Sequence, residues 1–154
     1  MTNKQKRKGI GMKKQMLFFS VAMIAVCMSL IILGCQTAKE VSSEEIITAQ
    51  VNKAMEALKA KNIDGVLEIY SDKFEHYEWS DKAGFREFLQ QASDAGYLDD
   101  LEIDLSKMQV KMEGNTGTAY PIEIKGSFGS TTVELVFTNE NGKWLVTGMD
   151  ATGI

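Results

Sequence analysis

An uncharged apolar run near the amino terminus is the feature that most constrains this chain. The run covers residues 16–33, "MLFFSVAMIAVCMSLIIL", and only Ser20 and Ser29 interrupt its apolar side chains. Its length lies at the lower limit for a helix that spans a bilayer and slightly above the apolar core of a usual signal peptide. The sequence therefore divides into a membrane-directed segment and a separate body.

The charges flanking this run are strongly asymmetric. Six cations precede Met16, and the first acid in the chain is Glu40. Because cationic flanks stay on the cytoplasmic side, the part after residue 35 is expected to be exported. Eleven of the 17 cations and all 21 acids follow residue 34, which gives the body a net charge of −10. Nucleic acid phosphates repel such a body, so nucleic acid is excluded as a partner.

The apolar run leads into "ILGC", residues 32–35. An aliphatic residue stands three positions before Cys35, and Gly34 directly precedes it. This pattern resembles the lipobox of bacterial lipoprotein signal peptides, although Leu33 stands where a smaller residue is common. The resemblance implies that the Cys35 thiol takes a diacylglyceryl group and that the chain is cut after Gly34. The residue after Cys35 is glutamine and not aspartate, which resembles the pattern of lipoproteins that are sorted to the outer membrane in bacteria with two membranes.

These features predict three segments and a location. Residues 1–34 are a signal peptide, residues 35–42 a lipidated tether and residues 43–154 a folded domain. The lipid on Cys35 is expected to anchor the protein to the cell membrane or outer membrane, with the domain outside the cytoplasm. The alternative is an uncleaved helical anchor in which Cys35 carries no lipid. The second cysteine, Cys27, lies within the apolar run, so the mature chain has no possible internal disulfide.

Helix signals begin directly after the tether. Ser42 and Glu45 have the spacing of a capping box, and the apolar positions that follow predict an amphipathic helix from Ser43 to about Lys61. Asn62 is expected to start a short second helix. The next segment, residues 73–79, is predicted to be extended.

A third helix is predicted to begin at Ser80 or Asp81 and to end near Gly96. Its apolar positions recur at helical spacing, which indicates one buried face. That face consists of Phe85, Phe88, Leu89 and Ala92.

The apolar period changes to two after Leu101, which indicates strands. A break is expected near Ser106 and Lys107, and three glycine-containing turns then join four strands into an antiparallel meander. Pro121 cannot donate to a ladder, so it predicts an edge or a bulge. The fold class predicted is α+β, with three amino-terminal helices packed on a curved antiparallel meander sheet.

The order of these elements resembles the nuclear transport factor 2-like (NTF2-like) superfamily, including its ketosteroid-isomerase-like and SnoaL-like branches. The residues that carry the resemblance are "NIDGVLEIYSDKFEHYEWSDKAGFREFL", followed by a meander that ends in "GKWLVTGMD". The resemblance covers residues 43–150 and implies a cone whose sheet curves around a pocket. Some members of the family use the pocket for acid/base catalysis, and many only bind. A cystatin-like fold, with one long helix on a similar sheet, is the alternative.

The candidate residues for a pocket or its rim are polar or aromatic. His76 is the single histidine, and an extended strand places the Glu78 carboxylate on its side, the minimal arrangement of a general base. No catalytic residue of the isomerase-like members can be carried over to this chain. The candidates are Tyr70, His76, Glu78 and Tyr120.

Several functions remain open at this point. The sequence favours a lipid-anchored domain that binds a small apolar ligand or a protein partner, with a homodimer through the sheet as a secondary hypothesis. The alternatives are an isomerase- or hydratase-type enzyme that uses His76, and a non-catalytic structural protein of the envelope. Neither a metal site nor a cofactor is expected, because ligand spacings and phosphate-binding loops are absent from the sequence.

Overall fold

The computed structural model describes residues 41–153, in which three helices precede a five-stranded antiparallel sheet. This confirms the α+β class. The predicted signal peptide, Cys35 and all of the tether before Val41 lie outside the described residues. No helix formed by the described part of the chain is long and apolar enough to cross a bilayer.

The first two helices begin at the predicted residues. Helix α1 is Ser43–Lys59, and both hydrogen bonds of its capping box are present. Helix α2 is Ile63–Leu67, and the Asn62 side chain accepts from the Gly65 N–H. The two caps supply partners for backbone donors that a helix leaves unpaired at its start. The buried face of α1 consists of Ile47, Val51, Ala54, Met55 and Leu58.

Helix α3, Lys82–Asp94, has the predicted cap and end but a different buried face. The Asp81 carboxylate accepts from the backbone N–H groups of Ala83 and Gly84. The helix ends before Gly96, whose φ of +78° is the left-handed conformation that glycine adopts at little cost. Phe88 is 41% exposed, so its predicted burial is wrong, because its ring lies over Trp79 at the protein surface.

The sheet is the predicted meander with a divided first strand. A two-stranded hairpin, β1 (Glu75–His76) and β2 (Ser80–Asp81), precedes the sheet. The strands of the sheet are β3 (Glu102–Asp104), β4 (Gln109–Glu113), β5 (Thr116–Gly126), β6 (Gly129–Glu140) and β7 (Lys143–Thr152). Strands β3 and β4 both pair with β5, which pairs with β6, and β6 pairs with β7. The expected break lies between β3 and β4, where the Ser106 N–H donates to Asp104 Oδ1.

Two register shifts bend this sheet. One lies between Ala119 and Ile122, at the position of Pro121. Pro121 therefore lies in a bulge, and it also lies opposite the break between β3 and β4, because β4 pairs with β5 only as far as Tyr120 and β3 pairs with it only from Glu123. The other lies between Val136 and Phe137. Bulges increase twist and curvature, so these positions help to form the concave face that covers the helices.

The core lies between α1, α3 and this concave face. Apolar side chains alternate inward along the strands, and polar ones alternate outward. Residues 41–154 form one compact unit, and the described core lies wholly within it, so this segment is expected to fold independently. The inward side chains of the two central strands are Ala119, Ile122, Ile124, Val133, Leu135 and Phe137.

Ser42→Ala is expected to destabilise the domain. The substitution removes the acceptor for the Glu45 N–H, which lies 3.2 Å from Ser42 Oγ. Loss of such a cap costs about 1 kcal/mol in the free energy of unfolding. Urea denaturation of residues 41–154 measures it, with Ser43→Ala as the control at a position outside the cap. Equal stability of the two variants would contradict a stabilising capping box.

Candidate ligand cavity

A cavity of about 530 Å³ lies between the helices and the concave face of the sheet. Its walls come from α1 through Met55 and Leu58, from α3 through Leu89, and from the sheet through Val133 and Met149. The lining is mostly apolar and aromatic. None of the described residues that line it is a lysine or an arginine. Such a cavity has the size and chemistry of small-molecule sites, which range from about 300 to 1,000 Å³.

A tight hairpin closes one side of the cavity. Its strands are β1 (Glu75–His76) and β2 (Ser80–Asp81), and His76 pairs with Ser80. The reversal brings the Trp79 ring onto the His76 ring, with centroids 4.1 Å apart and planes 15° apart. The prediction that residues 73–79 form one extended strand is therefore wrong about which side chains share a face. Trp79 lies with His76, whereas Glu78 is exposed.

His76 is held in one tautomer by this hairpin. Its side chain lines the cavity and the residue is only 8% exposed. The Glu78 backbone N–H donates to His76 Nδ1 at 3.2 Å, so in the neutral ring the proton is on Nε2. Nε2 is buried and has no hydrogen-bond partner among residues 41–153. The ring thus provides a donor, and the Glu78 carboxylate does not act on it as the sequence suggested.

Tyr70 provides a second donor beside the cavity, its phenol hydroxyl. The residue is 4% exposed, and its hydroxyl donates to Met149 Sδ at 3.6 Å. Thioether sulfur is a weak acceptor. Burial raises the pKa of the Tyr70 phenol above its ordinary value, so the hydroxyl stays protonated at neutral pH. The Lys82 ammonium donates to the Tyr70 carbonyl at 2.7 Å, which fixes the backbone there.

The structure brings together three of the four candidates. Tyr70, His76 and Glu78 line the cavity. Tyr120 lies on β5 with 48% of its surface exposed, and it is not among the described residues of the lining. The two central donors are therefore Tyr70 and His76.

Sequence reasoning missed the aromatic residues that form the outer wall. Trp79 packs against Phe85 and Phe88, with ring centroids 4.8 and 4.6 Å away. The signal available in the sequence was the aromatic spacing from Trp79 into the first two turns of α3. This signal was missed because a continuous strand through residues 73–79 would place Trp79 on the face opposite His76.

A second depression, of about 720 Å³, is open and polar. Four of its charged side chains form two ion pairs: Lys82 Nζ lies 3.3 Å from Asp72, and Lys73 Nζ lies 3.8 Å from Glu140. Within residues 41–153, no three His, Cys, Asp or Glu side chains are grouped as a metal ion would require. The apolar cavity is therefore the stronger candidate site.

No protein-family model and no curated protein sequence matches the chain. Solved structures do. An NTF2-like protein of unknown function from Pseudomonas putida KT2440 superposes with a TM-score of 0.60 at 13% identity, over 73% of this chain and 87% of that chain. The fold is NTF2-like. This confirms the fold inferred from the order of elements.

Two further solved structures superpose on this chain. A Nostoc punctiforme protein of unknown function, described as having a cystatin-like fold, gives a TM-score of 0.57 at 13% identity, covering 69% of this chain and 86% of that chain. The S. rosetta CaMKII hub gives 0.57 at 12% identity, covering 73% and 98%. At such identities the NTF2-like resemblance establishes the fold alone.

Proposed function

We propose that this protein is an exported lipoprotein whose NTF2-like domain binds a small apolar ligand. The anchor is a lipid on Cys35, placed at the outer surface of the cell membrane or in the outer membrane. The support for the anchor is the basic flank, the apolar run of residues 16–33 and the "ILGC" ending.

The ligand-binding part of this proposal depends on the cavity. The cavity of about 530 Å³ is open to solvent on one side and is lined mostly by apolar side chains, as small-molecule sites usually are. Its mouth is rimmed by aromatic side chains that remain in contact with solvent, including Tyr77, Phe88 and Tyr97. A small apolar molecule would remove this apolar surface from water, at about 25 cal/mol for each Å² buried.

Binding fits the chemistry of the cavity better than catalysis does. A general base at His76 needs a free nitrogen lone pair facing the substrate. The lone pair of Nδ1 accepts the Glu78 N–H, and Nε2 carries the proton. The Glu78 side chain is exposed and does not orient the ring.

A homodimer through the sheet stays a prediction. The outer face of β6 presents Thr132, Glu134, Val136 and Thr138, and β5 presents Tyr120, Glu123 and Lys125. This surface mixes polar and apolar side chains, whereas permanent homodimer interfaces are usually more apolar. Light scattering on residues 41–154 measures the mass, and a monomeric mass removes the hypothesis.

Ala92→Phe is expected to weaken ligand binding by filling the cavity. Ala92 lies on α3, is 7% exposed and lines the cavity. With the neutral dye N-phenylnaphthylamine as the probe, fluorescence titration of residues 41–154 should show roughly tenfold weaker binding, equivalent to about 1.4 kcal/mol. Ala49→Phe, on the exposed face of α1, is the control and should bind as the wild type does. Absence of dye binding to the wild type would refute the apolar ligand site.

A further inference from the structure

A single carboxylate stands at the mouth of the apolar cavity. Among the described residues that line the cavity, Glu78 is the only aspartate, glutamate, lysine or arginine. The residue is exposed, so it lies at the mouth and not in the interior. Its backbone N–H donates to His76, whereas its carboxylate has no partner among residues 41–153. An unpaired charge at the entrance to a cleft raises the local concentration of ligands of opposite charge.

The chain on another side of the mouth adds further negative charge. Leu98 and Leu101 line the cavity, and the two residues between them, Asp99 and Asp100, are exposed acids. Asp99 pairs with Lys61, whereas Asp100 has no side-chain partner among the described residues. The mouth therefore lies between acids on two separate segments.

The two cations of α3 do not offset these acids. Lys82 Nζ lies 3.3 Å from Asp72, and Arg86 Nη1 lies 2.6 Å from Asp64. Each is thus paired with a carboxylate outside the cavity lining. The entrance remains acidic, which disfavours an anionic ligand.

Aromatic rings flank the carboxylate at the mouth. Glu78 stands between Tyr77 and Trp79 in the hairpin, and Tyr97 lies on the opposite segment. All of them line the cavity, and Tyr77 and Tyr97 are 80% and 50% exposed. The faces of such rings attract cations, above all substituted ammonium groups. A carboxylate and aromatic faces together are the chemistry that recognises an alkylated ammonium.

The interior accepts only the uncharged part of such a ligand. It is lined by apolar side chains such as Met55, Leu89 and Val133. A charge buried among them would lose its hydration without gaining a partner. The charged group must therefore stay at the mouth, in contact with water, while an apolar body enters.

We propose, on the basis of the ligand-binding function proposed above, that the cavity takes a cationic amphiphile. Its apolar body fills the space between the helices and the sheet. Its alkylated ammonium head lies at the mouth, against the Glu78 carboxylate and the rings of Tyr77 and Tyr97. Glu78 is thus the residue that determines specificity for the charge of the ligand.

Three matched probes test this proposal on residues 41–154, after a cooperative urea transition has shown that the segment is folded. They are trimethyl(naphthylmethyl)ammonium, its uncharged carbon isostere neopentylnaphthalene, and the anion naphthylacetate, with quenching of tryptophan fluorescence as the readout. The ammonium compound should bind roughly tenfold more tightly than the anion, from ion pairing and ring contacts together. Equal binding of the cation and the anion overturns the proposal.

Two variants identify the carboxylate. Glu78→Gln should weaken binding of the ammonium compound roughly threefold, the scale of one exposed ion pair, and leave the affinity for the isostere unchanged. Glu75→Gln removes the same charge from the same hairpin at an exposed position outside the cavity lining, so it should leave all three affinities unchanged. Equal losses in the two variants would assign the effect to net charge and refute the role of Glu78, as would an unchanged affinity for the ammonium compound in Glu78→Gln.

The uncharged isostere separates failure of this proposal from failure of the ligand-binding function. If the isostere binds and the ammonium compound does not, the cavity is an apolar site and its cation specificity is refuted. If none of the three probes binds, the ligand-binding function itself is refuted.

Discussion

Cys35→Ala is expected to abolish incorporation of labelled fatty acid into this protein. The thiol of Cys35 is the atom to which a lipid would be attached, and alanine offers no nucleophile in its place. Each buried methylene contributes about 0.8 kcal/mol to membrane binding, and one chain anchors only marginally, so a lipidated cysteine needs two or three. The measurement is labelling with palmitate in cells, with a band that survives boiling in detergent.

The second cysteine provides a matched control for this experiment. Cys27 lies within the apolar run, so Cys27→Ala should leave the label intact. Intact-mass measurement of the wild type should show a chain that begins at Cys35 and carries acyl groups. A wild-type chain that retains residues 1–34 and carries no label would instead support the uncleaved helical anchor.

Local signals made the helix starts predictable. The capping box of Ser42 and Glu45 and the Asn62 cap act through hydrogen bonds within three residues, so sequence spacing alone reveals them. The meander was predictable for a similar reason. Alternation of apolar and polar side chains along β5 and β6 reflects one buried face, and glycines mark the turns between strands.

The wall of the cavity was not predictable, because it depends on contacts that spacing does not encode. The period of two assumed a continuous strand through His76 and Trp79, but the chain reverses there. Ser80 takes a φ of +65°, a conformation uncommon for a residue with a Cβ. The exposure of Phe88 follows from the same reversal, since its ring stacks on Trp79 at the surface. Tertiary packing thus overrides the local pattern.

Gly84→Ala is expected to destabilise the domain, although glycine to alanine normally stabilises a helix by up to about 1 kcal/mol. Gly84 lies in the first turn of α3, and an added Cβ would be 1.9 Å from the Trp79 carbonyl oxygen. That oxygen cannot simply move away, because it accepts from the Asp81 N–H at 2.7 Å. Relief of the clash must therefore separate the hairpin from the helix. We expect a net loss of roughly 2 kcal/mol in the free energy of unfolding, within the range for overpacking.

The same substitution should also impair the cavity, which links the stability of the hairpin to ligand binding. Trp79 and His76 both belong to the displaced hairpin and both line the cavity. Urea denaturation and titration with N-phenylnaphthylamine should therefore show a loss together in Gly84→Ala. Ala83→Gly, at the exposed neighbouring position, should cost only the helix propensity of about 1 kcal/mol and leave dye binding unchanged. A stabilised Gly84→Ala protein with normal dye binding would contradict the close contact between the Trp79 carbonyl and α3, and with it the hairpin wall on which the ligand site depends.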